Sequence, residues 1–142
     1  MDMLFKAINL ATNAHNGQKD KAGEPYILHP LRVMLQMKDE ESRIVAVLHD
    51  TVEDTYITLD LLQHEGFNPD VIEAIDCMTR RYNEDYFDFV RRCSNNKIAK
   101  FVKLADLNDN MDLRRIKNPT STDYQRQNKY QKAVDILLGL TE

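Results

Sequence analysis

Ala46-Val47-Leu48-His49-Asp50-Thr51-Val52-Glu53-Asp54-Thr55, entered from Ile44-Val45, is the stretch whose reading decides the fold. Ile44, Val45, Leu48 and Val52 recur at helical spacing, which predicts a helix with one face in the core. On a continuous helix His49 and Glu53 share one stripe, and Asp50 and Asp54 share the adjoining one, because residues four apart lie above one another. The carboxylates of Asp50, Glu53 and Asp54 then crowd together and repel unless a proton or a cation stands between them. One stretch is therefore expected to carry core and to hold positive charge.

Working outward, Asp39-Glu40-Glu41 places acids in the first turn of that helix, where the dipole favours them. Before it, Tyr26-Ile27-Leu28-His29-Pro30 leads into a helix through Leu31, Val33, Met34 and Met37, with Pro30 as its first residue and His29 fixed at its mouth. Leu4, Phe5, Ile8, Ala11 and Ala14 predict a first helix from Asp2 to about His15, closed by Asn16-Gly17. Gln18-Lys19-Asp20-Lys21-Ala22-Gly23-Glu24-Pro25 is polar and reads as a loop. Downstream, a short helix capped by Thr58 stops at Gly66, Pro69 starts another, and Tyr86, Phe87, Phe89 and Val90 mark a third with its aromatic residues in the core. A long helix is expected from Lys97 to about Arg115, and a last one after Pro119. The expectation is an all-α fold: residues 1–142 as one domain, a compact bundle of about seven or eight helices. Four Gly and four Pro leave little room for the turns of an all-β fold.

A net charge of −4 argues against general nucleic-acid binding, since a phosphate backbone rewards a basic excess, but a small anionic ligand needs only local Lys and Arg. Cys77 and Cys93 match no CxxC spacing and are read as reduced thiols, which fits a cytoplasmic location. The amino terminus lacks the basic and apolar regions of an export signal, and no apolar run approaches the roughly 20 residues of a membrane span, so no membrane association is expected.

A metal site in a helical bundle draws ligands from facing helices. His29 stands before a helix-start proline, and Asp106 follows the mostly apolar run Phe101-Val102-Lys103-Leu104-Ala105. Lys103, Asp106 and Asn110 fall on one side of their helix. His29, His49, Asp50 and Asp106 form a mixed nitrogen and oxygen set suited to Mn²⁺, Fe²⁺ or Zn²⁺. Four protein ligands leave positions open only for an ion that accepts five or six, which favours Mn²⁺ or Fe²⁺. Taken alone, His49-Asp50 is explained equally well by a buried histidine paired to its neighbour.

The order His29, then His49-Asp50, then Asp106 resembles the pattern of the HD-domain phosphohydrolases. More closely, the chain is similar to the hydrolase domain of the RelA/SpoT alarmone enzymes and their small stand-alone relatives of the metazoan SpoT-homologue type. The likeness rests on Gly23-Glu24-Pro25-Tyr26-Ile27 with His29-Pro30-Leu31-Arg32-Val33, on Leu48 through Thr55, and on Val102 through Asp106 with Asn110. The likeness spans nearly the whole chain. The resemblance implies a Mn²⁺-dependent hydrolase that removes the 3′-pyrophosphate from guanosine tetra- and pentaphosphate, with no synthetase domain and a small nucleotide as its partner. It implies His29, His49, Asp50 and Asp106 as metal ligands and Glu53 and Asp54 as catalytic acids. Lys21, Lys103 and Asn110 fall where the family contacts nucleotide or phosphate.

Departures lie on the ligand side. Asp20 and Lys21 stand where the family carries an Arg-Lys pair whose arginine stacks on the purine, and Asp112 and Leu113 replace an Arg and a Thr after Asn110. An HD phosphohydrolase of another nucleotide, such as an adenine alarmone or a nucleotide 3′-phosphate, and a catalytically silent nucleotide sensor are the alternatives. His15 is read as packing or capping the first helix and His64 as exposed. Arg80, Arg81, Arg114 and Arg115 are read as solvated helix-end charges.

Overall fold

Capping side chains set most helix starts in the computed structural model, which describes residues 2–142. Asp2 accepts the Leu4 N–H to begin α1 (Met3–Ala14), and Asp39 accepts the Ser42 N–H to begin α3 (Glu40–Leu48). Between them lies α2 (Leu28–Leu35). After α4 (Thr51–Asp54), Thr58 caps α5 (Leu59–His64) and Asn68 caps α6 (Pro69–Cys77), where Pro69 takes a position whose N–H has no helical partner. Asp85 caps α7 (Tyr86–Ser94), Asn96 caps α8 (Lys97–Asn110), and a capping box of Thr120 and Asp123 starts α9 (Ser121–Leu137). Among the described residues the β pairing is a single bridge between Lys19 and Pro25. The architecture is all-α as expected, and with α3 and α4 counted as one broken rod the described residues hold eight α-helices.

α3 is the centre of the bundle. Ile44 through Leu48 are all buried, and α3 packs against α1, α2, α6 and α8. That second half of α3, apolar on every side, can only sit where neighbours cover every side. Truncating Leu48, fully buried here, would cost about 2–5 kcal/mol. Cys77 and Cys93 are free thiols, and burial, first among its causes, pushes Cys93 up to about 12.

Three boundaries differ from the sequence expectations. α2 begins at Leu28, so Pro30 is its third residue and His29 already lies in the first turn; proline fits because the N–H groups of that turn have no helical acceptor. α8 ends at Asn110 instead of near Arg115. Asp112 accepts the Arg114 N–H at 3.0 Å and starts a 3₁₀ turn, Leu113–Arg115, which competes with helix continuation. The third difference is the break between α3 and α4, and it shapes the site.

Candidate metal centre

His49 and Asp50 occupy that break. The Nδ1 atom of His49 lies 2.5 Å from the Ala46 carbonyl, the oxygen that the Asp50 N–H would use in an unbroken helix. Thr51 donates its hydroxyl to the Leu48 carbonyl at 2.7 Å. Side chains thus occupy carbonyls of the helical ladder, and the ladder stops. The continuous stripe expected for His49 with Glu53 and Asp50 with Asp54 is therefore not what forms. Consecutive residues on a regular helix diverge by about 100°. Here they converge, with His49 Nε2 and Asp50 Oδ2 3.2 Å apart.

Two further helices aim at the same point. From α2, His29 Nε2 lies 2.8 Å from Asp106 Oδ1 and 3.8 Å from Asp50 Oδ2. From α8, the same Asp106 oxygen lies 3.3 Å from His49 Nε2. One ligand atom each from His29, His49 and Asp50 falls within 4.8 Å of the others. His29, His49 and Asp106 are each at most 5% exposed.

The outer faces of both imidazoles meet only acceptors. His29 Nδ1 lies 2.6 Å from the Asp109 carboxylate, and His49 Nδ1 meets the Ala46 carbonyl. Nδ1 therefore carries the hydrogen, and each Nε2 turns a lone pair or a second proton toward the aspartates. Two lone pairs facing two carboxylates repel until positive charge intervenes, so this donor set fits a divalent cation. Without one, protons take that place. Burial opposes charge on His29, yet its bonds to Asp106 and Asp109 outweigh burial and raise it to about 9. Burial also opposes charge on His49, and Asp50 and Asp106 hold it well above the ordinary imidazole value. Asp50, raised by burial but lowered more by His49, falls to about 2, and Lys103 heads the charges that hold Asp106 well below the carboxylate range.

Neighbouring side chains support these four. Lys103 is buried with Nζ 2.9 Å from Asp106 Oδ2 and 5.0 Å from the Phe89 ring centroid, so it backs the aspartate from the core side. Asn110 donates to Asp106 Oδ1 at 3.2 Å. Tyr26 donates its hydroxyl to Asp50 Oδ2, and burial followed by the Asp50 charge raises that phenol above its usual range. Glu53 is exposed and accepts the Arg80 N–H at 2.8 Å, tying α4 to the segment before α7. Asp54 has a partly desolvated carboxyl; that burial, then the charges of Asp50 and Glu53, raises it to about 6.

A cavity of about 290 Å³ opens beside the cluster, with His29, Tyr26 and Asn110 on its wall. Lys19, Lys21, Arg32, Arg115 and Arg126 give it a basic lining, and Leu113, Ile116 and Tyr130 an apolar one. Lys21 sits at the exposed rim, 3.4 Å from Asp123. The acids on this wall are bound within the protein. Asp20 accepts the Ala22 and Glu24 N–H groups, both at 2.9 Å, which closes the loop from Lys19 to Pro25, and Asp112 pairs with Arg114 at 2.7 Å. Arg115, expected as a solvated charge, instead turns inward and donates to the Asp109 carbonyl at 3.0 Å. Arg32, Asp109 and Arg126 were not singled out as site residues by the sequence. A clue existed for two of them: Arg32 lies three residues after His29 and Asp109 three after Asp106, so each shares a helix face with a metal-ligand candidate. His15 caps α1 and is buried, and His64 is exposed, as expected.

Known proteins resemble this arrangement. A family model described as an HD domain matches residues 7–105, a span that contains His29, His49 and Asp50 and stops one residue before Asp106. The chain is 34% identical over 120 residues to the guanosine-3′,5′-bis(diphosphate) 3′-pyrophosphohydrolase of Aquifex aeolicus, covering 76% of this chain and 17% of that protein. It is 32% identical over 129 residues to the GTP pyrophosphokinase of Myxococcus xanthus, covering 78% of this chain and again 17% of the relative. The chain thus spans about a sixth of the length of these curated relatives. Among solved structures it is similar, at a TM-score of 0.79 and 26% identity over 98% of this chain and 87% of the other, to a metazoan ortholog of SpoT described as hydrolyzing ppGpp and playing a role in starvation responses. Because the HD-domain model runs from α1 into α8 and takes in both converging histidines, this chain belongs to the HD-domain family.

Proposed function

We propose that residues 1–142 act as one divalent-metal-dependent hydrolase domain that removes the 3′-pyrophosphate from guanosine tetra- and pentaphosphate in the cytoplasm. The observation that carries this reading is the cluster of His29, His49 and Asp50, joined by Asp106, that opens at His29 into a basic cavity with apolar walls. His29, His49, Asp50 and Asp106 hold the ion, with Mn²⁺ favoured and Fe²⁺ the nearest substitute. When bound, a divalent ion acidifies water and offsets charge on the scissile phosphoryl group.

The remaining steps belong to side chains. Water adds to the phosphorus attached to the 3′-oxygen, the bond between that oxygen and phosphorus breaks, and the sugar leaves with a 3′-hydroxyl while pyrophosphate is released. Asp54, poised at about 6, takes the proton from water and returns it to the 3′-oxygen, and Glu53 orients the turn that carries it. Asn110 and Lys21 face the phosphates from the cavity wall, while Lys103 acts behind Asp106 by keeping that ligand ionised. The planar groups of Arg32, Arg115, Arg126 and Tyr130 offer the purine a stacking surface that Lys19 does not.

The test is a panel of guanosine and adenosine 3′,5′-bis(diphosphates) and nucleotide 3′-phosphates incubated with Mn²⁺-loaded protein, followed by chromatography of products. Pyrophosphate release from the guanosine compound, abolished by chelation, is the expected result. No turnover of any 3′-pyrophosphorylated nucleotide overturns the proposal, and tight binding without product would identify a silent nucleotide sensor instead.

A further inference from the structure

The outer nitrogens of the two histidines are held in different ways. His49 is held by a main-chain carbonyl, whereas His29 is held by the carboxylate of Asp109 at 2.6 Å. That carboxylate is itself gripped by Arg32, through Nε at 2.8 Å and a terminal nitrogen at 3.0 Å. Arg115 reaches the Asp109 carbonyl at 3.0 Å and its carboxylate at 3.5 Å. The Asp109 side chain is 6% exposed, so these partners and not water fix its position. A guanidinium bound through two nitrogens fixes the plane of a carboxylate as well as its place, and an imidazole held at Nδ1 cannot rotate or exchange its hydrogen freely. Arg32 meanwhile lines the cavity beside the metal cluster.

We propose that Arg32 and Asp109 form a positioning relay for His29, in which Arg32, from the cavity wall, acts through Asp109 to aim His29 Nε2 at the ion. The inference rests on the reading of His29 as a metal ligand given above. It adds that a cation on the substrate side sets how tightly the centre takes its metal.

The experiment measures Mn²⁺ affinity of the full chain by electron paramagnetic resonance of the free ion, for wild type, Asp109→Asn, Arg32→Gln, their double variant and Asp106→Ala, with circular dichroism melts alongside. Asp109→Asn, nearly isosteric, is expected to keep the fold and weaken Mn²⁺ by about 10–100-fold. Arg32→Gln is expected to weaken it less, and the double variant to match Asp109→Asn within about twofold, since removing the first member of a series cannot matter once the second is gone. Losses that multiply in the double variant overturn the relay, as does an Asp109→Asn affinity within about twofold of wild type while Asp106→Ala loses the ion. If Asp109→Asn fails to fold, Arg32→Gln, at a partly exposed position, decides alone, and an unchanged affinity overturns the relay. A wild-type chain that takes up no Mn²⁺ overturns both the relay and the metal reading beneath it.

Discussion

Loading the metal-free protein with Mn²⁺ is expected to expel close to two protons per ion at pH 7. His29 is raised to about 9 and His49 well above its ordinary value, so both are protonated at neutral pH while Asp50 and Asp106 are ionised. An ion entering at the Nε2 atoms must displace those protons. Each proton displaced contributes about tenfold in apparent affinity per pH unit, so two give about 100-fold, or roughly 2.7 kcal/mol, per unit between about pH 6 and 8. Calorimetric titration in buffers of different ionisation heat counts the protons directly. Release of fewer than one proton per ion at pH 7 would refute the reasoning, because it would mean that the imidazoles wait for the metal in neutral form. The same shifts set the stability of the metal-free chain. A raised imidazole pKa contributes stability fully below the unfolded value of about 6.5, and the contribution is lost as pH rises through about 9; for His29 it amounts to about 3 kcal/mol. Metal-free protein should therefore melt lower as pH rises from 6 to 9, and metal-loaded protein should lose its advantage as pH falls.

Lys103→Met should leave Asp106 as a buried carboxylate without its lysine and cost about 3–5 kcal/mol in the metal-free chain, read by thermal or urea unfolding; a loss under about 1 kcal/mol would show that the pair does not stabilise the fold. Glu53→Gln and Asp54→Asn are expected to keep Mn²⁺ while turnover drops by about 10²–10⁴, and full activity in the double variant would remove both from the proton path. Wild-type turnover should rise as Asp54 ionises through about pH 6, and that limb should vanish in Asp54→Asn.

Much of the fold was legible because periodicity and caps agree. Thr58, Pro69 and the acids before Ile44 each mark a helix start by chemistry that operates within a few residues. The four metal-ligand candidates stood out because a histidine or aspartate beside an apolar run is out of place on a purely structural helix. The break at His49 did not stand out, since it depends on a ring nitrogen finding the Ala46 carbonyl, a choice that periodicity does not record. Arg115 was misread for a related reason. Its inward turn follows from the early end of α8 and the 3₁₀ turn behind Asp112, and only the folded backbone shows that a helix-end arginine is aimed at Asp109. Asp109 itself looked like one more polar residue in Asn108-Asp109-Asn110 until α2 was laid against α8.

The different holds on the two histidines also bear on how this centre can change over generations. Every amino acid supplies a carbonyl at position 46, so no substitution there deletes the acceptor of His49, and the orientation of that ring is insulated from side-chain drift. His29 has no such protection. Single substitutions at Asp109 or Arg32 can retune it in steps while His29 and the other ligand candidates stay in place. In the proposed metal centre one histidine is an inherited constant and the other an adjustable setting, and descendants of this chain that shift their metal preference are expected to do so through the second.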